Sequence, residues 1–257
     1  MKKKLRKILN SFNYDLIKLS NLRKLFADQK MAKEYEFILS YPATIGANYL
    51  KYKGYSKSQI KQDLFVLCEL DFKKNGFFIE FGATDGISMS NTFLLEKDFN
   101  WKGILAEPGR CWHSALKENR DTFIETNCVW HKTGEELQFQ EAQSSTLSTV
   151  VGFGKTDSHS QDRDTKKVYS VTTISLNDLL LKYKAPKIID YLSIDTEGSE
   201  YIILNNLNFD DYKFRVITVE HNYTSLREKI FKLLSSKGYS RVHTTHSLFD
   251  DWYIYKH

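Results

Sequence analysis

Cysteine and proline are scarce in this chain of 257 residues, with three of each. Cys68, Cys111 and Cys128 are odd in number, widely separated and without paired metal spacing, which excludes a disulfide framework and a structural zinc. Thiols in a reducing compartment, the cytoplasm, are what such usage predicts. No apolar run is long enough for a secretory core or a membrane span, because Ile8 to Leu19 is interrupted by Asn10, Ser11, Asn13, Asp15 and Lys18. A strong excess of one charge is missing too. The net charge of +5 is mild and draws several of its positive charges from Met1 to Lys7, so nucleic acid is not expected as a partner.

The composition, 41% hydrophobic and 27% charged, is that of a globular protein. The length suits one α/β domain with an appended piece. Leu5, Ile8, Leu9, Phe12, Leu16 and Ile17 recur at helical spacing and predict a basic amphipathic helix, packed on its own domain or on a second subunit. Ser20 to Leu39 continues as helix, so residues 1–55 read as a helical N-terminal extension. A homodimer built through such an arm is compatible with this pattern. Ser56 to Asp71 then reads as a helix leading into the first strand of a domain that fills 56–257.

Phe77 to Asn91 is the stretch around which that domain is arranged. Phe77 to Phe81 lacks polar alternation, as expected of a strand covered on both faces in a parallel sheet. Gly82 and Gly86 then supply turns, and Ser90 or Asn91 could open a helix. At such a strand–turn–helix junction a nucleotide-like ligand binds in open α/β sheets. Thr84 occupies the position where a dinucleotide fingerprint needs its second glycine, which argues against a nicotinamide cofactor. Glu80 and Asp85 flank the turn instead, and two acids suit a cation. S-adenosylmethionine, with a sulfonium and an ammonium and no phosphate, fits better than NAD or ATP. The plainer reading is that Glu80 and Asp85 only cap the following helix or bind each other's backbone.

A second strand, Gly103 to Ala106, ends in Glu107-Pro108. An acid roughly 20 residues past the glycine turn commonly accepts hydrogen bonds from ribose hydroxyls, and Pro108 would aim it. Thr122 to Val129 reads as a third strand, with Asn127 and Cys128 where contacts to an adenine edge would fall. Residues 131–170 depart from the alternation and read as an insertion: a hairpin from Gln138 to Gln140 and Lys167 to Thr172, with a polar loop that is either a lid or a surface excursion.

The fourth strand begins at Ile188 and runs into Asp195-Thr196-Glu197-Gly198-Ser199-Glu200. Asp195 and Glu197 would point to one side if the extended geometry persisted, whereas Glu200 in a first helical turn reads as a cap. The fifth strand, Arg215 to Val219, ends in Glu220-His221-Asn222. His221 titrates near neutrality and is, with Asp195, a candidate base for a hydroxyl acceptor. A divalent ion held by Asp195, Glu197, Glu220 or His221 is a subordinate reading. Tyr239 to Thr245 and Asp251 to Tyr255 close the chain as a hairpin, which makes one strand antiparallel.

Taken jointly, Glu80-x-Gly82-x-x-Asp85-Gly86, Ser90-Asn91-Thr92, Trp101-Lys102-Gly103-Ile104-Leu105-x-Glu107-Pro108, Leu192-x-Ile194-Asp195-x-Glu197-Gly198-x-Glu200 and Glu220 resemble the FkbM family of S-adenosylmethionine-dependent methyltransferases. Ser58-Gln59-Ile60-Lys61-Gln62-Asp63 resembles that family's segment before the core. The resemblance implies a class I methyltransferase fold, a Rossmann-like seven-stranded sheet in the order 3-2-1-4-5-7-6 with strand 7 antiparallel. It also implies methyl transfer to a hydroxyl of a sugar or natural product, including nucleotide-sugar, glycan-linked or phosphorylated acceptors and those of capsule polysaccharide. On that resemblance Gln59, Asp63, Glu80, Gly82, Ala83, Thr84, Asp85, Ser90 and Asn91 face the cofactor, Glu107 and Pro108 its ribose, and Asp195, Glu197 and Glu200 the acceptor. A nicotinamide-dependent oxidoreductase and a non-catalytic glycan- or protein-binding module on the same fold are the alternatives. Lys155, Arg163, Lys166 and Lys167 near the loop lean toward an anionic acceptor.

Overall fold

The computed structural model describes residues 19–142, 148–150 and 165–256. The amphipathic helix expected near the N-terminus lies outside them, as do the polar loop over 151–164 with Lys155 and Arg163, and the side chain of Lys166. The chain forms two compact units, Met1–Pro42 and Ala43–His257. The first of these units ends at Pro42, which sets the boundary. Pro42 supports it, since proline disfavours helical backbone at the residue before it. In the first unit α1, Leu19–Leu39, is the described element. Its Phe37 ring meets Tyr41 edge-on at 5.2 Å.

The second unit opens with α2, Ala43–Tyr52, whose Tyr52 stacks on Phe72 at 5.9 Å and meets Phe99 at 4.8 Å. The helix expected over 56–71 is shorter: α3 covers Gln62–Glu69. Asp63 explains the late start, because its Oδ1 accepts from Ser56 Oγ, Ser58 Oγ and the Leu64 amide and so ties 56–63 into a capping turn. Gln59 is thereby left off the helix, its amide donating to Met89 Sδ at 3.0 Å.

The main sheet then assembles from β1 (Phe77–Phe81), β2 (Lys102–Ala106), β3 (Phe123–Glu125), β8 (Ile188–Ile194), β9 (Lys213–Glu220), β10 (Tyr239–Val242) and β11 (Asp250–Tyr255). Its order is β10-β11-β9-β8-β1-β2-β3. β11 is antiparallel to β9 and β10, and the other pairings are parallel. Renumbered along this sheet alone, that is 3-2-1-4-5-7-6 with strand 7 antiparallel. Helices α4 (Phe93–Phe99), α5 (His113–Asn119), α6 (Leu176–Lys182), α7 (Glu200–Asn205) and α8 (Leu226–Ser236) make the crossovers. The apolar runs of β1, β8 and β9 are buried because both faces are covered: Ile79, Leu192 and Ile217 have no exposed surface and pack with helix residues such as Leu179 and Leu234. Burying each such side chain contributes about 1.5–3 kcal/mol. Among the described residues no helix is long and apolar enough to cross a membrane.

One expected strand divides. Thr122 to Val129 breaks between β3 and β4 (Cys128–Trp130), where Glu125 Oε1 turns back to accept from the Asn127 amide. β4 leaves the main sheet and pairs with β7 (Thr165–Ser175), which also carries β5 (Glu136–Ala142) and through it β6 (Thr149–Val150). The insertion is therefore a second sheet of order β4-β7-β5-β6, larger than the hairpin expected. Ser175 ends it and caps α6, its Oγ accepting from the Asp178 amide at 3.1 Å.

Candidate active site

The parallel strands all end on the same edge of the sheet. There a cavity of about 360 Å³ opens over Phe81, Ala106, Asp195 and Glu220, the residues at the ends of β1, β2, β8 and β9. Three of these strands deliver an acid into it, Glu107, Asp195 and Glu220. Gly82 follows β1 with φ +73°, and its amide donates to the Ala106 carbonyl at 3.1 Å. A Cβ at this position would collide with the backbone oxygen of Asp195. Only glycine lets the ends of β1 and β8 come this close.

Glu80 lines the cavity from below, but its carboxylate is committed to the loop that follows. It accepts from Ser90 Oγ at 3.0 Å, from the Asn91 amide at 2.7 Å and from Thr92 Oγ1. Arg120, with no exposed side-chain surface, stands 3.8 Å away and also holds Glu96, Gly86 O, Ser90 Oγ and Thr92 Oγ1. Burial pushes the Glu80 carboxyl up, against the opposing pull of Arg120 and the three donors. Glu107 is less encumbered. Its two oxygens accept one amide each, Thr84 N at 2.9 Å and Gly109 N at 2.7 Å. Burial raises its pKa to about 7, the two amides opposing.

On the other side of the cavity Asp195, Glu197 and Glu220 can each bring an oxygen within 4.8 Å of the others. Asp195 and Glu220 share a hydrogen bond, and burial drives both upward, Glu220 most strongly; that bond opposes the rise at Asp195, where Asp250, Glu200 and Glu80 add to it, while the charges of Asp195, Glu197 and Glu200 add to the rise at Glu220. Glu197 sits at φ +58°, a left-handed conformation uncommon outside glycine, and its carbonyl accepts from Thr149 Oγ1 on β6 at 3.0 Å. β5 and β6 supply the facing wall, since Phe139 and Val150 are cross-strand partners and both line the cavity. Met89 and Phe249 add apolar surface. Among the described lining residues there is no lysine, arginine or histidine. Lys167 is exposed, its ammonium over the Tyr169 ring at 5.9 Å.

Of the residues expected at the site, Gln59, Glu80, Gly82, Thr84, Asn91, Glu107, Pro108, Cys128, Asp195 and Glu197 line this cavity. Others serve the scaffold. Asp85 accepts from Ile87 N, Ser88 N and Ser88 Oγ, which fixes the turn ahead of α4 and does not cap that helix. Its partial burial opposes, but these bonds hold its carboxyl below the usual range. Ser90 binds Glu80, Asp63 ties Ser56 and Ser58 to the first turn of α3, Asn127 serves Glu125, and Ala83 is buried without reaching the cavity. Glu200 ties down the turn ahead of its own helix, accepting from Thr196 N, Thr196 Oγ1 and Gly198 N.

His221 turns away from the cavity. Its Nδ1 accepts from the Tyr223 amide at 3.0 Å and its Nε2 lies 3.8 Å from Asp251, inside a cluster with Arg227 and Arg241. Burial lowers its pKa, Asp251 pulling the other way and the arginines adding to the fall. Alternation along β9 accounts for this: Glu220 faces the cavity, so its neighbour faces the opposite side. The residues that sequence reasoning missed are Arg120, Phe139, Thr149, Val150 and Phe249. None sits in a motif, and each reaches the site by a contact distant in sequence.

This sheet order, with an antiparallel strand inserted near one edge and acids gathered at the parallel strand ends, is the architecture of class I methyltransferases. The chain belongs to the FkbM methyltransferase family: the model of the methyltransferase FkbM domain matches residues 80–241, more than half of the sequence. No curated protein matches it. Among solved structures, similarity extends to a methyltransferase FkbM from Methylobacillus flagellatus KT, with TM-score 0.46 and 13% identity over 72% of this chain and 44% of that one. The present chain thus spans less than half of that protein's length. A precorrin-6y C5,15-methyltransferase from Geobacter metallireducens GS-15 matches with TM-score 0.41 and 10% identity, over 75% of this chain and 85% of that one.

Proposed function

We propose that this protein transfers a methyl group from S-adenosylmethionine to a hydroxyl oxygen of a sugar or glycan-linked acceptor, in the making of a surface polysaccharide or natural product. The observation that carries this reading is the convergence of Glu107 with Asp195, Glu197 and Glu220 on one cavity beside the Gly82 turn. The residues suit the donor. Glu107 has spent two of roughly four acceptor positions on amides, which leaves lone pairs for two ribose hydroxyls. The missing Cβ at Gly82 lets the end of β8, with Asp195, close against the turn that lines the cavity.

When bound, S-adenosylmethionine supplies a methyl group on a sulfonium, with a neutral thioether as leaving group. The chain's own part is to align the acceptor and manage its proton. Asp195, Glu197 and Glu220 hold the hydroxyl, and a carboxyl of this group raised toward neutrality is matched to receiving its proton. Phe139, Val150, Met89 and Phe249 offer the apolar face of a sugar ring a surface to pack on. None of Cys68, Cys111 and Cys128 is in a disulfide, which supports a cytoplasmic place of action.

The test is a mass-spectrometric screen of sugar nucleotides and glycans with S-adenosylmethionine, alongside calorimetry with S-adenosylhomocysteine. Methylated product is expected, and Asp195→Asn should lower kcat by about 10²–10⁴-fold. His221→Ala should leave the rate near that of the parent. The reverse ranking would transfer the proton to His221, and binding of S-adenosylhomocysteine without transfer to any acceptor would make this a binding module.

A further inference from the structure

Asn222 lies just beyond the end of β9 and lines the cavity together with Glu220. It is only 7% exposed, and its side-chain amide makes no hydrogen bond among the described residues. Buried amides are ordinarily paired, because losing water without gaining a partner is costly, so an unpaired one on a cavity wall points to a ligand.

The position is built into the fold. Its backbone stands at φ +42°, a left-handed conformation that asparagine tolerates better than most residues. The amides of His221 and Asn222 both donate to the Phe249 carbonyl, at 2.9 and 3.2 Å, which staples this turn to the segment before β11. Phe249 is half-buried and lines the same cavity. An amide and an aromatic residue thus reach it from two joined segments.

Sheet order says which ligand they meet. β9 lies beyond β8 from β1, whereas Glu107 follows β2 on the other side of β1. The ribose of a methyl donor belongs with Glu107, and Asn222 stands with Asp195 and Glu220, where an acceptor would be held. The edge of an amide presents a carbonyl acceptor beside an N–H donor, the complement of two neighbouring hydroxyls, each able to give and to accept a hydrogen bond. The aromatic residue supplies the apolar surface on which the C–H face of a sugar ring packs.

We propose that Asn222 is a specificity-determining residue for the acceptor, its amide binding two adjacent ring hydroxyls of a sugar whose apolar face rests on Phe249. This rests on the methyl-transfer reading only in calling that sugar the acceptor.

The experiment is nuclear magnetic resonance of the full chain carrying isotope-labelled asparagine, with and without S-adenosylhomocysteine. It is titrated with the methyl glycosides of glucose, mannose, galactose, rhamnose and fucose, and S-adenosylhomocysteine calorimetry is run alongside. The side-chain amide signals of Asn222 are identified by their loss in Asn222→Asp, which keeps the size of the residue and removes both donors. At least one glycoside is expected to shift them, and Asn222→Asp and Asn222→Gly should each weaken its binding by about tenfold or more. Glycine accepts the left-handed backbone, so that loss does not come from strain. A deoxy analogue lacking one of the two hydroxyls should bind the parent more weakly than the glycoside does, yet bind Asn222→Gly as well as the glycoside does, which a merely structural role would not produce. S-adenosylhomocysteine should bind the parent and both variants alike. A glycoside bound equally by parent and variants, or a panel in which none moves the Asn222 signals, would overturn the assignment, and methyl transfer would stand if S-adenosylhomocysteine still bound. Loss of S-adenosylhomocysteine affinity in the variants with glycoside binding intact would give Asn222 to the donor and overturn it as well. Glycoside binding through Asn222 in a chain that ignores S-adenosylhomocysteine would support the sugar site and count against methyl transfer.

Discussion

The backbone carbonyl of Asp195 occupies the space that a side chain at Gly82 would need. The turn after β1 and the carboxylate at the end of β8 are thus locked together by the absence of one carbon. Gly82→Ala must accommodate φ +73°, which costs about 1–2 kcal/mol for a residue with a Cβ, and must also displace Asp195. We expect a Tm lower by several degrees, on the order of 2–4 °C per kcal/mol, and S-adenosylhomocysteine binding reduced below detection in calorimetry. A variant with the parent's Tm and affinity would show that the two strand ends are not coupled.

Arg120 is the buried cation of the loop after β1. It satisfies Glu96 at 2.8 Å, stands 3.8 Å from Glu80 and bonds Gly86 O, so it connects α5 to the cofactor turn. Arg120→Met should destabilise the fold by about 3–5 kcal/mol, because two carboxylates stay buried without their partner. Urea unfolding measures this. Adding Glu96→Gln should recover part of the loss, and a double variant less stable by the sum of the single losses would contradict the pairing.

Burial holds the Glu107 and Asp250 carboxyls near 7, far above the 4.5 and 3.8 they start from. The folded state then keeps protons that the unfolded chain has released. Their contribution is full below the unfolded pKa and is lost as pH rises toward 7. Asp85 and Glu96, whose pKa values are depressed, act in the opposite sense but only at lower pH. The ligand-free protein should therefore melt lower at pH 8 than at pH 5.5, by at least about 2 °C. Glu107→Gln should flatten that slope. S-adenosylmethionine, a cation, should raise Tm more at pH 8, and an equal shift at both pH values would argue that Glu107 does not meet the donor.

The sheet was legible because its signal is local. Mostly apolar runs without polar alternation, such as Phe77–Phe81 and Ile188–Ile194, have one use, a strand covered on both faces. Acids placed after β2 and β8 were legible for the same reason. Side-chain direction was harder: His221 looked like a base because it follows a strand, but neighbouring residues on a strand face opposite ways, and Glu220 had already taken the cavity side. Asp85 was expected at the cofactor or as a helix cap, but its carboxylate finds three donors within three residues, in the turn itself. The second sheet was only half visible, since β4 pairs with β7 across some forty residues of sequence. No local pattern announces such a partner.

That distant pairing also places Thr149, a side chain of the second sheet that hydrogen-bonds the acid-bearing turn after β8. It is 3% exposed, and its Oγ1 donates to the carbonyl of Glu197 at 3.0 Å, where the backbone is held at φ +58°. Thr149→Val keeps the β-branched shape and removes the donor, leaving a carbonyl whose lost bond costs about 1–3 kcal/mol. Relaxation of Glu197 toward ordinary backbone would carry its carboxylate away from Asp195 and Glu220. We expect kcat to fall several-fold with the KM for the methyl donor unchanged, since Glu107 and Gly82 are untouched. Thr149→Ser, which restores the hydroxyl, should recover most of the rate. If Thr149→Val turned over like the parent, the conformation of Glu197 would be set by Gly198 and the α7 cap alone, and the second sheet would act on the acceptor only through Phe139 and Val150.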